Sequence, residues 1–130
     1  MNAHFATPLI DDQGNWNNHT NSYNVSSDIS STGGQMARAL GLALASKHYR
    51  QNKQLRKEFS QFSNKGNEVS FVTIGDASTS EGVFWETMNA AAVQQVPLAV
   101  CVWDDGYGIS VPIQLQTVKQ NISTALSGFE

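Results

Sequence analysis

Apolar positions are sparse and aperiodic over residues 1–31, where Asn, Ser, Thr, Asp and Gly crowd the chain between Phe5, Leu9, Ile10, Trp16, Tyr23 and Ile29. A stretch with neither a helical nor a strand period reads as loop. A loop that long marks a binding loop, a partner-covered segment or the edge of a larger unit. From Gln35 the pattern sharpens. Met36, Leu40 and Leu44 recur at i, i+4 and i+8, with Ala37, Ala39, Ala43 and Ala45 between them, which predicts a helix over 35–50 with a small-residue face. The preceding Ser30-Ser31-Thr32-Gly33-Gly34 offers capping hydroxyls and free amides. Arg50 to Gly66 is a charged connector with Leu55, Phe59 and Phe62 on one side, and a second short helix is expected there.

Glu68 to Ile74, rich in β-branched and aromatic residues and closed by Gly75, predicts a strand. After Ser80 and Glu81, Val83, Phe84, Met88, Ala91 and Ala92 fall at helical spacing and stop before Pro97, with Glu81 the expected capping acid. Pro97 to Trp103 is continuously apolar, the pattern of a strand buried on both faces. Strand, helix and strand make a βαβ unit over 68–110, whose crossover is expected to be right-handed. The fold class is therefore α/β, a parallel sheet with flanking helices. The expected organisation is one partial domain over 1–130: a loop-rich segment 1–31, a helix 35–50 and the βαβ unit 68–110.

Composition narrows the partners. With 130 residues, 40% of them hydrophobic, the chain makes one domain at most and can bury a core without metal or disulfide staples. A net charge of -3 gives no basic footprint for nucleic acid. The apolar runs Leu40 to Ala45 and Pro97 to Trp103 are too short to span a bilayer, so no membrane partner is expected, and Met1 is followed by no secretory pattern. The lone Cys101 excludes a disulfide framework and suits a reducing compartment, so a cytoplasmic location is expected. Sequons at Asn18, Asn24 and Asn121 are expected to be silent, and no internal repeat is present.

The candidate chemistry sits at the strand ends. Asp76 follows the first strand and Asp104-Asp105 the second, so parallel neighbouring strands would bring these carboxylates to the carboxyl edge where open α/β sheets bind ligands. Mg2+ favours a few carboxylates combined with phosphate oxygens and water. The small turn Ala77-Ser78-Thr79-Ser80 ahead of a helix lets amides approach a phosphate. A Mg2+–diphosphate site fits this arrangement.

The segment Gly75-Asp76-Ala77-Ser78-Thr79-Ser80-Glu81-Gly82, followed by Asn89-Ala90-Ala91-Ala92, Pro97 and Asp104-Asp105-Gly106-Tyr107-Gly108-Ile109-Ser110, resembles a thiamine diphosphate fingerprint. The family is the thiamine-dependent decarboxylase component, alpha subunit, of 2-oxo acid dehydrogenase complexes, of branched-chain or pyruvate type. Its pattern opens with Gly-Asp-Gly or Gly-Glu-Gly and closes with Asn-Asn ahead of a Gly-Tyr-Ala-Ile-Ser-like segment. Order, spacing and intervening residues agree. Upstream, Ser30 to Gln35 is similar to the loop opening the family's next helix, and Met1-Asn2-Ala3-His4-Phe5 to an interior stretch of branched-chain members. The resemblance thus implies an internal fragment, with Met1 inside a longer parent and a His-bearing catalytic loop beyond Glu130.

By this resemblance, Asp76, Asp105 and the Tyr107 backbone carbonyl would hold Mg2+, and the amides of Ala77 and Ser78 the diphosphate. Thr32 and Gln35 would lie along the cofactor, with Gly75 and Ile109 completing the binding residues. No side chain of this stretch is assigned a catalytic role. The implied activity is oxidative decarboxylation of a 2-oxo acid with acyl transfer to a lipoyl group, the cofactors being thiamine diphosphate and Mg2+. The implied partners are a beta subunit or beta-like region and a lipoyl-bearing acyltransferase, within an oligomer. The isolated chain is expected to be inactive.

Three departures from the pattern involve four residues. Ala77 adds a methyl at the third residue of Gly-Asp-Gly, Asp104-Asp105 replaces Asn-Asn and adds negative charge, and Trp103 stands where some members carry a charged residue. These leave two alternatives open: a non-catalytic α/β binding or assembly module, or a transketolase-like enzyme. Elsewhere the simpler readings hold. His4, His19 and His48 have no ligand spacing and read as surface or structural, Cys101 as packing, and Phe84-Trp85 as core or subunit interface.

Overall fold

The computed structural model describes residues 5–118 and 121–129. Met1 to His4, and with them the His4 reading and all but Phe5 of the Met1–Phe5 resemblance, lie outside the described residues.

The chain runs through helix α1 (Gly34–Gln51), helix α2 (Lys53–Glu58), strand β1 (Ser70–Gly75), a 3-10 turn (Ala77–Ser80), helix α3 (Gly82–Gln94) and strand β2 (Leu98–Trp103). A small hairpin of β3 (Tyr107–Gly108) and β4 (Val111–Pro112), a second 3-10 turn (Ile113–Leu115) and the short helix α4 (Ile122–Ala125) follow. Strands β1 and β2 pair in parallel, in register from Ser70 against Leu98 to Gly75 against Trp103. The expected parallel βαβ unit is therefore present, and the fold is α/β.

One face of this sheet carries the core. Val72 and Ile74 point inward against Met36 and Ala39 of α1, Phe84 of α3 and Ile122 of α4, with Leu98, Val100 and Val102 of β2 packed beside them. Phe84 is fully buried and meets Trp85 edge to face at 5.2 Å, so this pair belongs to the core. The alternate positions face away, and Phe71 and Trp103 are both 68% exposed.

Four local expectations are corrected. Strand β2 is only half-buried rather than buried on both faces, because a two-stranded sheet has helices against one side and nothing among the described residues covers the other. On α1 the fully buried stripe is Met36, Ala39, Ala43 and Ser46 instead of the leucines. The small side chains let α1 approach β1 and α3 closely, and Leu40 and Leu44 flank that contact half-buried. The hydroxyls before α1 do not cap it: Gly33, left-handed at φ 75, is the N-cap and provides no side-chain bond. Glu81 occupies the N-cap of α3, yet its side chain makes no capping bond either.

Strand β1 begins two residues later than its hydrophobic pattern suggested, and Glu68 explains why. Its carboxylate accepts from Ser63 Oγ at 2.9 Å and Ser46 Oγ at 3.3 Å, and its carbonyl from Ser46 Oγ at 2.8 Å. These bonds tie the residue to α1 and to the loop before the strand.

The described part of the N-terminal segment is loop, as its composition predicts, but it is held in place. Ile10 and Trp16 form an isolated antiparallel bridge around the Asp11 turn. Trp16 meets Phe62 edge to face at 5.2 Å, and His19 stacks on the same ring at 6.0 Å. Histidine 19 is thus structural, while His48 is exposed.

Candidate functional site

Parallel pairing of β1 and β2 brings the two strand ends together, and the ladder continues one step past the strands. The Asp76 amide donates to the Trp103 carbonyl at 3.0 Å, so Asp76 leaves β1 where Asp104 leaves β2. Immediately afterwards the chain turns sharply. The Thr79 amide and hydroxyl both donate to the Asp76 carbonyl, at 3.0 and 2.6 Å, and Thr79 is 1% exposed. Ala77 and Ser78 open this turn, where the first amides have no partner within the turn itself.

On the second strand, each aspartate fixes the loop two residues ahead. Asp104 Oδ1 accepts from the Gly106 amide at 3.2 Å, and Asp105 Oδ1 from the Tyr107 amide at 3.0 Å. An Asn Oδ1 accepts the same bond, which is why Asp-Asp can replace Asn-Asn here without unfolding the turn. The hairpin then folds back over the site. Gln116 Nε2 donates to the Val111 carbonyl at 2.7 Å, and the Ile113 amide to the Gly106 carbonyl at 2.9 Å. At its tip Ile109 is fully exposed and left-handed at φ 59, a backbone state costing a β-branched residue about 1–3 kcal/mol.

Between these loops lies a cavity of about 780 Å³, within the size range of small-molecule sites. Thr32, Gly75, Asp76, Ala77, Ser78, Asp105, Tyr107 and Ile109 all line it. Gln35 does not: its Nε2 donates to the Thr73 carbonyl at 3.1 Å, tying α1 to β1. The lining also includes Gly108, Val111 and Gln116, which sequence reasoning did not select. Residues 111–118 carry no periodicity or motif from which their position follows.

The charge in the cavity is one-sided. Its ionisable lining groups are the carboxylates of Asp76, Asp104 and Asp105 and the phenol of Tyr107, with no Lys, Arg or His among the described lining residues. Asp76 is 3% exposed, and among the described residues no donor hydrogen-bonds its carboxylate. An anionic ligand therefore needs a cation to enter. Among the described residues no three His, Cys, Asp or Glu gather into a metal cluster. The available donors are carboxylate and loop carbonyl oxygens, an all-oxygen set that fits Mg2+ sharing its shell with phosphate oxygens better than zinc. The residues present fit a Mg2+–diphosphate group.

These features define an α/β protein with an acidic cavity at its strand ends. The chain belongs to the dehydrogenase E1 component family, which matches residues 12–130. It is 38% identical over 61 residues to the 2-oxoisovalerate dehydrogenase subunit alpha of Bacillus subtilis (strain 168), covering 47% of this chain and 18% of that protein. It is 34% identical over 91 residues to the pyruvate dehydrogenase E1 component subunit alpha of Acholeplasma laidlawii, covering 70% and 22%. The corresponding Mycoplasma pneumoniae subunit is 32% identical over 56 residues, covering 43% and 16%. The chain thus spans about a fifth of the length of these relatives. Among the described residues, no helix is long and apolar enough to cross a membrane.

Proposed function

We propose that this chain carries the alpha-subunit part of a Mg2+–thiamine diphosphate site in a 2-oxo acid dehydrogenase, serving oxidative decarboxylation and acyl transfer to a lipoyl group. The observation that carries this reading is the meeting of Asp76, Asp105 and Tyr107, from two separate motifs, around one cavity. Asp76 and Asp105 would bind Mg2+ through carboxylate oxygens, and Tyr107 through its backbone carbonyl. Ala77 and Ser78 would offer amides to the diphosphate, and Gly75, Thr32 and Ile109 would border the cofactor. When bound, thiamine diphosphate supplies the electron sink for decarboxylation. This chain's residues bind and orient it.

A shared site follows from the same reading. A beta subunit or beta-like region would contribute the acidic group that activates the cofactor, a lipoyl-bearing acyltransferase would accept the acyl unit, and the assembly would be a cytoplasmic oligomer. Pyruvate and branched-chain 2-oxo acids are both candidate substrates, matching the relatives' names. The test is a steady-state assay with each acid and an artificial electron acceptor. No turnover is expected from the 130-residue chain alone, and turnover is expected from a full-length alpha subunit containing it combined with its beta subunit. Turnover by this chain without a beta subunit would refute the shared site.

A further inference from the structure

We propose that Ala77 and Gly108 form a matched steric pair that sets the spacing between the two loops of the site. A Cβ placed on Gly108 would stand 2.6 Å from the Ala77 Cβ, 2.6 Å from Gln116 Nε2 and 3.0 Å from Gln116 Oε1. Real Cβ atoms do not approach that closely. Gly108 is not left-handed, so space rather than dihedral freedom excludes a side chain there. The two obstacles differ in kind. The Gln116 amide ends a flexible side chain and can retreat by giving up its 2.7 Å bond to the Val111 carbonyl. The Ala77 methyl is fixed to a backbone held by Thr79 and by the β1–β2 ladder. One methyl fits between these loops.

A methyl at 77 therefore excludes one at 108, and moving the methyl from 77 to 108 would keep the local volume. Both act as positioning residues, through the loops that carry Asp76, Asp105 and Tyr107. Their effect on cofactor binding rests on the thiamine diphosphate reading, whereas their packing does not.

A double-mutant cycle on the full-length protein tests the pair, read by thermal melting and by calorimetric titration of thiamine diphosphate with Mg2+ below all melting transitions. Gly108→Ala is expected to lower the melting temperature by about 2 °C or more, as overpacking does in a larger chain. It is also expected to weaken cofactor binding about tenfold by displacing the loops. Ala77→Gly with Gly108→Ala should restore both, while Ala77→Gly alone costs little. If Gly108→Ala does not fold, a folded double variant supports the pair and an unfolded one overturns it. Additive losses in the double variant, or an unaffected Gly108→Ala, overturn it as well. Recovered melting with unrecovered affinity refutes the positioning role. If no variant binds the cofactor, the unmodified chain included, the cofactor reading falls and the melting cycle still decides the pair.

Discussion

The Asp76 amide donates to the Trp103 carbonyl at 3.0 Å, joining the first residue after β1 to the last residue of β2. Two motifs well separated in sequence thereby become neighbours through the main chain alone. Side chains at the strand ends inherit their relative position from sheet register, and that rigidity is what a small ion site requires. The Asp76 carboxylate lines the cavity beside Asp104 and Asp105 with no protein cation among the described lining residues, so an entering cation is what can offset its charge.

Replacing Asp76 by Asn keeps the shape and removes that charge. We expect Asp76→Asn to raise the stability of the ligand-free protein by about 1 kcal/mol, the common exchange of stability for function at a binding site. Mg2+-dependent thiamine diphosphate binding should be lost in the same variant. Denaturant unfolding measures the first effect and calorimetry the second. Unchanged affinity would remove Asp76 from the ion site.

The two loop aspartates should behave oppositely. Both accept turn amides through Oδ1, so Asn at either position preserves the loop. Asp104→Asn removes a charge assigned no ligating role, and it is expected to strengthen diphosphate binding about threefold at low salt, a gain that shrinks as salt screens it. Asp105→Asn removes a proposed ligand charge and is expected to raise the Mg2+ concentration needed for half-saturation. Titrations at two ionic strengths separate the cases, and equal responses of the two variants would contradict the division of roles.

Thr79 tests the turn beneath the site. Its buried hydroxyl donates to the Asp76 carbonyl at 2.6 Å. Thr79→Val keeps the volume and deletes the donor, so a loss of about 1–2 kcal/mol is expected in urea unfolding, together with weaker cofactor binding. An unchanged unfolding midpoint would show that the bond contributes nothing net.

Much of this geometry was legible in the sequence because it follows from periodicity. The apolar run of β2, the β-branched run of β1 and the spacing of Phe84 and Met88 defined a parallel βαβ unit, and parallel pairing alone carries Asp76 and Asp105 to one edge. Contacts that depend on tertiary distance were not legible. The burial of Ala39 and Ala43 in place of Leu40 and Leu44 reflects how closely α1 approaches the sheet, which no one-dimensional pattern encodes. Gln35 has the composition of a site residue but bonds to the Thr73 carbonyl instead. Gly108 reaches the cavity on a hairpin of two-residue strands and Gln116 just after a three-residue 3-10 turn, elements too short to leave a periodic trace.

The Asp11 turn gives a pH response remote from the site. Hydrogen bonds from the Asn15 amide and side chain, followed by those of Gln13 and Gly14, hold the Asp11 carboxyl below its ordinary value of 3.8. A depressed folded pKa stabilises the turn above the unfolded value, and this contribution is lost as pH falls through the lower folded value. Hydrogen exchange at the Asn15 amide should therefore lose protection, relative to the intrinsic rate, on acidification below 3.8. Asp11→Ala should remove both the protection and its pH dependence. An acid response persisting in the variant would assign it to another group.

In the proposed site one Mg2+, held between the two motifs, brings a diphosphate into an otherwise acidic cavity. The decisive measurement is titration of thiamine diphosphate into the full-length protein, with Mg2+ and then with the metal chelated. Saturable one-site binding is expected with Mg2+, lost on chelation and absent from Asp76→Asn under both conditions. Binding of equal strength with and without metal, or no binding in the presence of Mg2+, would contradict it.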